Sequence, residues 1–157
     1  MTMEATGRNE VSQFGTFALM SQLFGVEILR MREIIRPLNI TKGPRAEAFM
    51  EGVINLRGTV IPIISLRSRF GMPVKPFDKE TRIINMEIEG TVVGFIVDSI
   101  GHVLRIPSEA IEPPPPVTVS VESEYIYGMA RVGDLLYMVL NVDKLVSIET
   151  LRNFVQE

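Results

Sequence analysis

The 157-residue sequence has no cysteine and no tryptophan, and its single histidine is His102. Without thiols there is no disulfide framework, no thiolate nucleophile and no cysteine zinc site. One imidazole also falls short of the roughly three or four nitrogen or sulfur ligands that zinc takes. No metal and no cofactor are therefore expected. A run of about 18 apolar residues is missing, so neither a membrane-spanning helix nor direct membrane insertion is expected. The first stretch, MTMEATGRNEVSQ, has two Glu and one Arg but no apolar block, unlike a signal peptide. Neither GxxxxGK[ST] nor a GxGxxG after a strand occurs, which removes the usual phosphate cradles. The net charge is −3 and no basic strip is interleaved with aromatics, so no nucleic acid partner is expected. A thiol-free chain with these features suits a reducing cytoplasm.

Catalytic groups are thin. His102 follows Asp98 by four residues, and on a strand the two side chains can share a face. A small hydrolase using Asp98 and His102 is the enzyme alternative, but it needs a serine bonded to the imidazole in space. A solvated pair at a strand end is the other reading, and the expectation is that the protein is not an enzyme.

What is present is core material. Hydrophobic residues make up 46% and charged residues 22%, with mean hydropathy +0.22, far from the disorder signature of low hydrophobicity and high charge. The length fits one domain, or two very small ones sharing strands. Charge is unevenly placed: residues 28–82 hold eleven Lys or Arg against five Asp or Glu, and residues 83–157 hold four against eleven. That polarity points either to protein partners or to two solvated faces.

The stretch Glu51–Gly71, EGVINLRGTVIPIISLRSRFG, organises the chain. Val53, Ile54 and Leu56 lead to Arg57-Gly58, and Thr59–Ile64 returns. Glycine accepts the positive φ that primed hairpin turns demand, and the dense Val and Ile runs predict strands buried on both faces. A buried stem would thus hold the Arg57 guanidinium at its tip, either as a carboxylate-binding group or as a hydrated surface charge.

Before it, residues 1–13 read as a flexible tail, Phe14–Leu23 as a strand, Phe24-Gly25 as a turn and Val26–Ile28 as the start of the return strand. Leu29–Arg36 continues as strand or short helix until Pro37, and 38–50 is loop. Met31, Ile34 and Ile35 lie between cations, as a binding segment or as core. After it, Leu66–Phe70 fits one helical turn and Gly71–Lys79 a loop. Thr81–Ile88 and Thr91–Val97 form a hairpin around Glu89-Gly90, and Val103–Ile106 is a further strand. Residues 107–124 form a long connection in which Pro113–Pro116 is an extended strap. Ile126–Val132 and Leu135–Asn141 flank Gly133-Asp134, with glycine first as a type II′ turn prefers. Val142–Val146 and Thr150–Val155 are short helices. Short strands with glycine turns and no βαβ unit make the fold class all-β.

These residues resemble the CheW family of bacterial chemotaxis coupling proteins. GVINLRGTVIPIISLRSRFG (Gly52–Gly71) is similar to the family pattern G-V-x-N-L-R-G followed by V-x-P-[VI]-[VI]-D-L-R. FGVEILRMREI (Phe24–Ile34), TVVGFIVDSIGHVLRI (Thr91–Ile106), IEPPP (Ile111–Pro115) and YIYGMARVGDLLYMVLNVDKLVS (Tyr125–Ser147) support it in order. The resemblance implies two intertwined five-stranded SH3-like β-barrels, with an apolar core in each and another between them. The domain would span 14–150, followed by a helical end at 151–157. It also implies a non-catalytic, cytoplasmic scaffold coupling the chemoreceptor cytoplasmic domain to the regulatory domain of a CheA-type histidine kinase, in swimming or in a non-motility pathway. The partner-binding residues carried over are Arg57, Glu33 and Met31, with Glu33 as the carboxylate partner of Arg57. Two positions depart from the pattern: Ser65 stands for the usual Asp of V-D-L-R, and Asn141 for the Asp of the L-D-[LV]-[DE]-K ending.

Overall fold

The computed structural model describes residues 11–37, 39–42, 48–114 and 121–155. The strands are β1 (Val11–Leu19), β2 (Gln22–Glu27), β3 (Met31–Ile35), β4 (Met50–Leu56), β5 (Thr59–Ser65), β6 (Arg82–Ile88), β7 (Thr91–Val97), β8 (Ser99–Pro107), β9 (Ile111–Glu112), β10 (Ile126–Val132) and β11 (Leu135–Leu140). Two α-helices are short, α1 (Leu66–Arg69) and α2 (Ile148–Val155). The class is all-β.

Two sheets result. One runs β8-β1-β2-β11-β10-β9 and the other β3-β6-β7-β5-β4, so β3–β7 form a contiguous insertion between strands of the larger sheet. Pairing is antiparallel except for β2–β11 and β5–β7, which are parallel and were not legible in the hairpin pattern. Among the described residues no strand pairing joins the end strands of either sheet. Both sheets nevertheless wrap a small core. Ile54, Ile61, Ile63, Ile83 and Ile96 cluster inside the five-stranded sheet, and Phe14, Ile106, Ala130 and Val139 inside the other. A third and larger core lies between the sheets, where Phe17, Phe24 and Val26 meet Ile64, Ile84, Met86 and Phe95. Alternation explains the division: in β6, Ile84, Met86 and Ile88 face the shared core while Ile83 faces the small one.

Several sequence expectations shift. Val11–Gln13 are not tail but the start of β1, paired with Arg105–Pro107 of β8; residues 1–10 lie outside the described residues. The first turn falls at Met20-Ser21, both at positive φ, rather than at Phe24-Gly25. Phe24 is fully buried in the shared core, so the chain cannot turn there without losing that packing. Leu29–Arg36 resolves into a 3₁₀ turn, Ile28–Arg30, followed by β3. The long connection contains a 3₁₀ turn at Ser108–Ala110 and the two-residue β9; Pro115 and Pro116 of the proline strap lie outside the described residues. The stem of the central hairpin is buried on both faces only in β5, where Ile61–Ser65 are all buried; β4 is an edge strand and alternates.

Ser65 has a local role. Its Oγ accepts a hydrogen bond from the Ser68 N–H at 3.2 Å and caps α1. Serine and aspartate are comparable caps, so Ser65 preserves the contact that an aspartate would make there. The charge polarity is also partly consumed inside the fold. Arg30–Asp143, Arg32–Glu87 and Arg67–Asp98 each join a cation of the basic half to an anion of the acidic half.

Candidate partner-binding site

Arg57 and Gly58 are the central residues of the β4–β5 turn, with φ of 54° and 88°, the pair of positive values that a type I′ turn requires. The Asn55 Oδ1 accepts the Gly58 N–H at 2.9 Å and fixes the tip from within. From there Arg57 Nη2 donates to Glu33 Oε1 at 2.6 Å. Glu33 sits on β3, the opposite end strand of the same sheet, so this ion pair spans the open side of a sheet curled on itself. Arg57 keeps 71% of its side chain exposed and Glu33 keeps 35%. The pair is therefore accessible, with a backbone held by a buried stem.

Met31 does not join them. The register shifts between Met31 and Glu33, a β-bulge that sends neighbouring odd-numbered side chains to different faces. Glu33 pairs with Asn85 on the small-core face, whereas Met31 pairs with Met86 and packs against the shared core. Its thioether lies against Gly15 of β1, where a Cβ would collide with the sulfur. The side chain fills space between the sheets.

Asp98 and His102 are separated in function by what Asp98 already holds. Arg67 Nε donates to Asp98 Oδ1 at 2.8 Å and Arg67 Nη2 to Oδ2 at 2.6 Å, while the Met20 N–H donates to Oδ2 at 2.9 Å. Burial pushes the Asp98 carboxyl up, but the bonds from Arg67 and Met20 outweigh it and hold the group below the usual carboxylate range. Its hydrogen bond to Asp98 correspondingly pushes the Arg67 guanidinium up. The His102 side chain is exposed, and its backbone carbonyl accepts from Thr16 Oγ1. No hydrogen bond links Asp98 to His102, so the hydrolase pair is not assembled.

Sequence reading missed three arginine clamps. Arg67 also donates to the Pro73 carbonyl at 2.7 Å and ties the 71–79 loop to β7. Arg30 donates to the Glu87 carbonyl and to Asp143, joining the two sheets. Arg69 lies over the rings of Phe49 and Tyr125 and donates to the Leu145 carbonyl. Apart from Pro73, six positions after Arg67, these partners are far apart in sequence, and no local spacing signals them. Among the described residues no cluster of three or more His, Asp or Glu is placed to hold a metal ion, and no helix is long and apolar enough to cross a membrane.

Residues 13–150 match the family model of the CheW-like domain. The chain belongs to the CheW-like family. It is 32% identical over 143 residues to the chemotaxis protein CheW of Klebsiella aerogenes, covering 91% of this chain and 86% of that one. It is likewise 32% identical over 148 residues to the chemotaxis protein CheW of Treponema pallidum, covering 92% and 87%. The crystal structure of the scaffolding protein TtCheW from Thermoanaerobacter tengcongensis superposes with a TM-score of 0.82 at 35% identity, covering 90% of this chain and 91% of that one. The two-sheet fold with its shared core is thus a CheW-like fold.

Proposed function

We propose that this protein is a non-catalytic chemotaxis adaptor, working in the cytoplasm, that couples the cytoplasmic tips of chemoreceptors to a CheA-type histidine kinase. Its membership of the CheW-like family supports the adaptor role. The observation that carries the site is the Arg57–Glu33 pair: a guanidinium exposed on a rigid hairpin tip and already oriented by one carboxylate. A planar guanidinium has donors to spare after one such bond and can grip a second carboxylate bidentately. A partner that presents an Asp or Glu at its docking surface would use Arg57 in this way.

The test is Arg57→Ala. An exposed ion pair contributes about 0–1 kcal/mol to folding, so the melting temperature should stay within a few degrees of wild type. Truncating one member of a charge pair desolvated at an interface costs roughly 2–5 kcal/mol, or tens to thousands of fold in affinity. Receptor-dependent kinase activation should therefore collapse, and Glu33→Ala should show a milder form of the same defect. An unchanged activation curve would leave Arg57 a hydrated surface charge, and a collapsed melt would make it structural.

A further inference from the structure

We infer that Asn85 is a positioning residue that receives the Glu33 carboxylate when Arg57 turns to a partner, an inference that rests on Arg57 being the binding group. Asn85 is 1% exposed, and among the described residues neither its Nδ2 nor its Oδ1 has a hydrogen-bond partner. It stands directly opposite Glu33 of β3 on one side and Gly94 of β7 on the other. Opposed residues of antiparallel strands share a face with their Cβ atoms about 4.5–5.5 Å apart. Glu33, Asn85 and Gly94 thus form one row across the inside of the curled sheet.

The Asn85 Oδ1 lies on the Gly94 side. A Cβ at Gly94 would stand 2.9 Å from Asn85 Oδ1, and 2.6 and 2.8 Å from Ile63 Cδ1 and Ile83 Cγ2. The missing side chain at position 94 is what makes room for the amide on the β7 side. Glu33 meanwhile spends Oε1 on Arg57. In this state the Asn85 amide rests over Gly94 and donates to neither Glu33 oxygen.

The arrangement has two self-consistent states. In one, Glu33 holds Arg57 and the amide lies over Gly94. In the other, a partner's carboxylate holds Arg57, and rotation about the Asn85 side-chain torsions brings Nδ2 to Glu33 in a charge-assisted hydrogen bond. The second state satisfies a buried amide donor that the first leaves unmet, so releasing Arg57 meets less resistance than breaking an ion pair alone.

The experiment is a double-mutant cycle. Binding of the cytoplasmic signalling fragment of a chemoreceptor from the same organism is titrated by calorimetry against wild type, Asn85→Val, Glu33→Ala and the double variant, with melting curves on each. Asn85→Val should weaken binding about tenfold with a melting temperature equal to or above wild type, because it removes an unmet amide. In the Glu33→Ala background the same substitution should change affinity less than about twofold. If valine crowds Ile63 and Ile83 and lowers the melt, Asn85→Ala is read through the same cycle. Unchanged affinity in the single variant overturns the inference, as does an equal loss with and without Glu33, which would mark Asn85 as structural. Arg57→Ala is measured alongside: if it binds as wild type the underlying reading fails, whereas if it loses binding while the cycle shows no coupling, the Asn85 inference alone fails.

Discussion

The Arg57–Glu33 and Arg67–Asp98 pairs share a chemistry and differ in access to water. Arg67 and Asp98 keep only 15% and 18% of their side chains exposed and are bonded through two donors and two acceptors. Hydrogen bonds to a charged group at such a site contribute about 1.5–3 kcal/mol, so Asp98→Asn should lower stability near neutral pH by that amount in urea unfolding. The sign with pH follows from the native carboxyl lying below its ordinary 3.8. The stabilisation is full above 3.8 and drains away as pH falls through the depressed native value. The gap between wild type and Asp98→Asn should therefore narrow in strong acid; a gap of equal size there would show that the contribution is not ionic. Residues of these two kinds were unequally legible. Arg57 was visible because its turn chemistry is local, with glycine beside it and β-branched runs on each side. The Arg67–Asp98 clamp joins α1 to the end of β7 across 31 positions, and proximity in sequence offered His102 instead. Asn85 carried no signal, since its neighbours come from two other strands.

At the scale of the element, the β4–β5 hairpin holds a side chain where turn geometry favours none. Arg57 sits at φ 54°, in the left-handed region that costs an L-residue about 1–2 kcal/mol. Arg57→Gly relieves that strain and Arg57→Ala does not. The glycine variant should melt about 2–4 °C above the alanine variant, corresponding to about 1 kcal/mol in a chain of this size, while both lose receptor-dependent kinase activation to the same degree. Equal melting temperatures would show that the tip carries no strain, and retained activation in either variant would detach the strain from binding. Hairpins whose turns hold glycine, around Gly58, Gly90 and Gly133, were legible in the sequence. The β1–β2 turn was not, because Met20 and Ser21 carry no turn signature and adopt positive φ only in the folded context. The bulge in β3 that parts Met31 from Glu33 was equally silent, since a period-two reading places both on one face.

For the whole molecule, the sequence conveyed an all-β chain, and the family resemblance conveyed small cores with a shared one between them. The order of strands within the sheets came only from the structure, because parallel pairing of β2 with β11 brings together Leu23 and Tyr137. That interleaving bears on how the protein is made. The five-stranded sheet is closed in sequence and can assemble once residue 97 is available, whereas the larger sheet waits for its last strands. Distant pairings form late because loop closure precedes their reward. Pulse-labelled hydrogen exchange during refolding should find β6 and β7 amides protected before those of β2 and β11; simultaneous protection would refute that order. Until the late strands arrive, the early sheet has only the β1–β2 hairpin against Ile64, Ile84 and Phe95, and the side of the shared core that Tyr125, Met138, Leu140 and Leu145 complete is left as open apolar surface. A nascent chain paused in its final third would offer that surface to other chains, which makes the segment after β7 the point where synthesis speed, chaperone capture and aggregation compete.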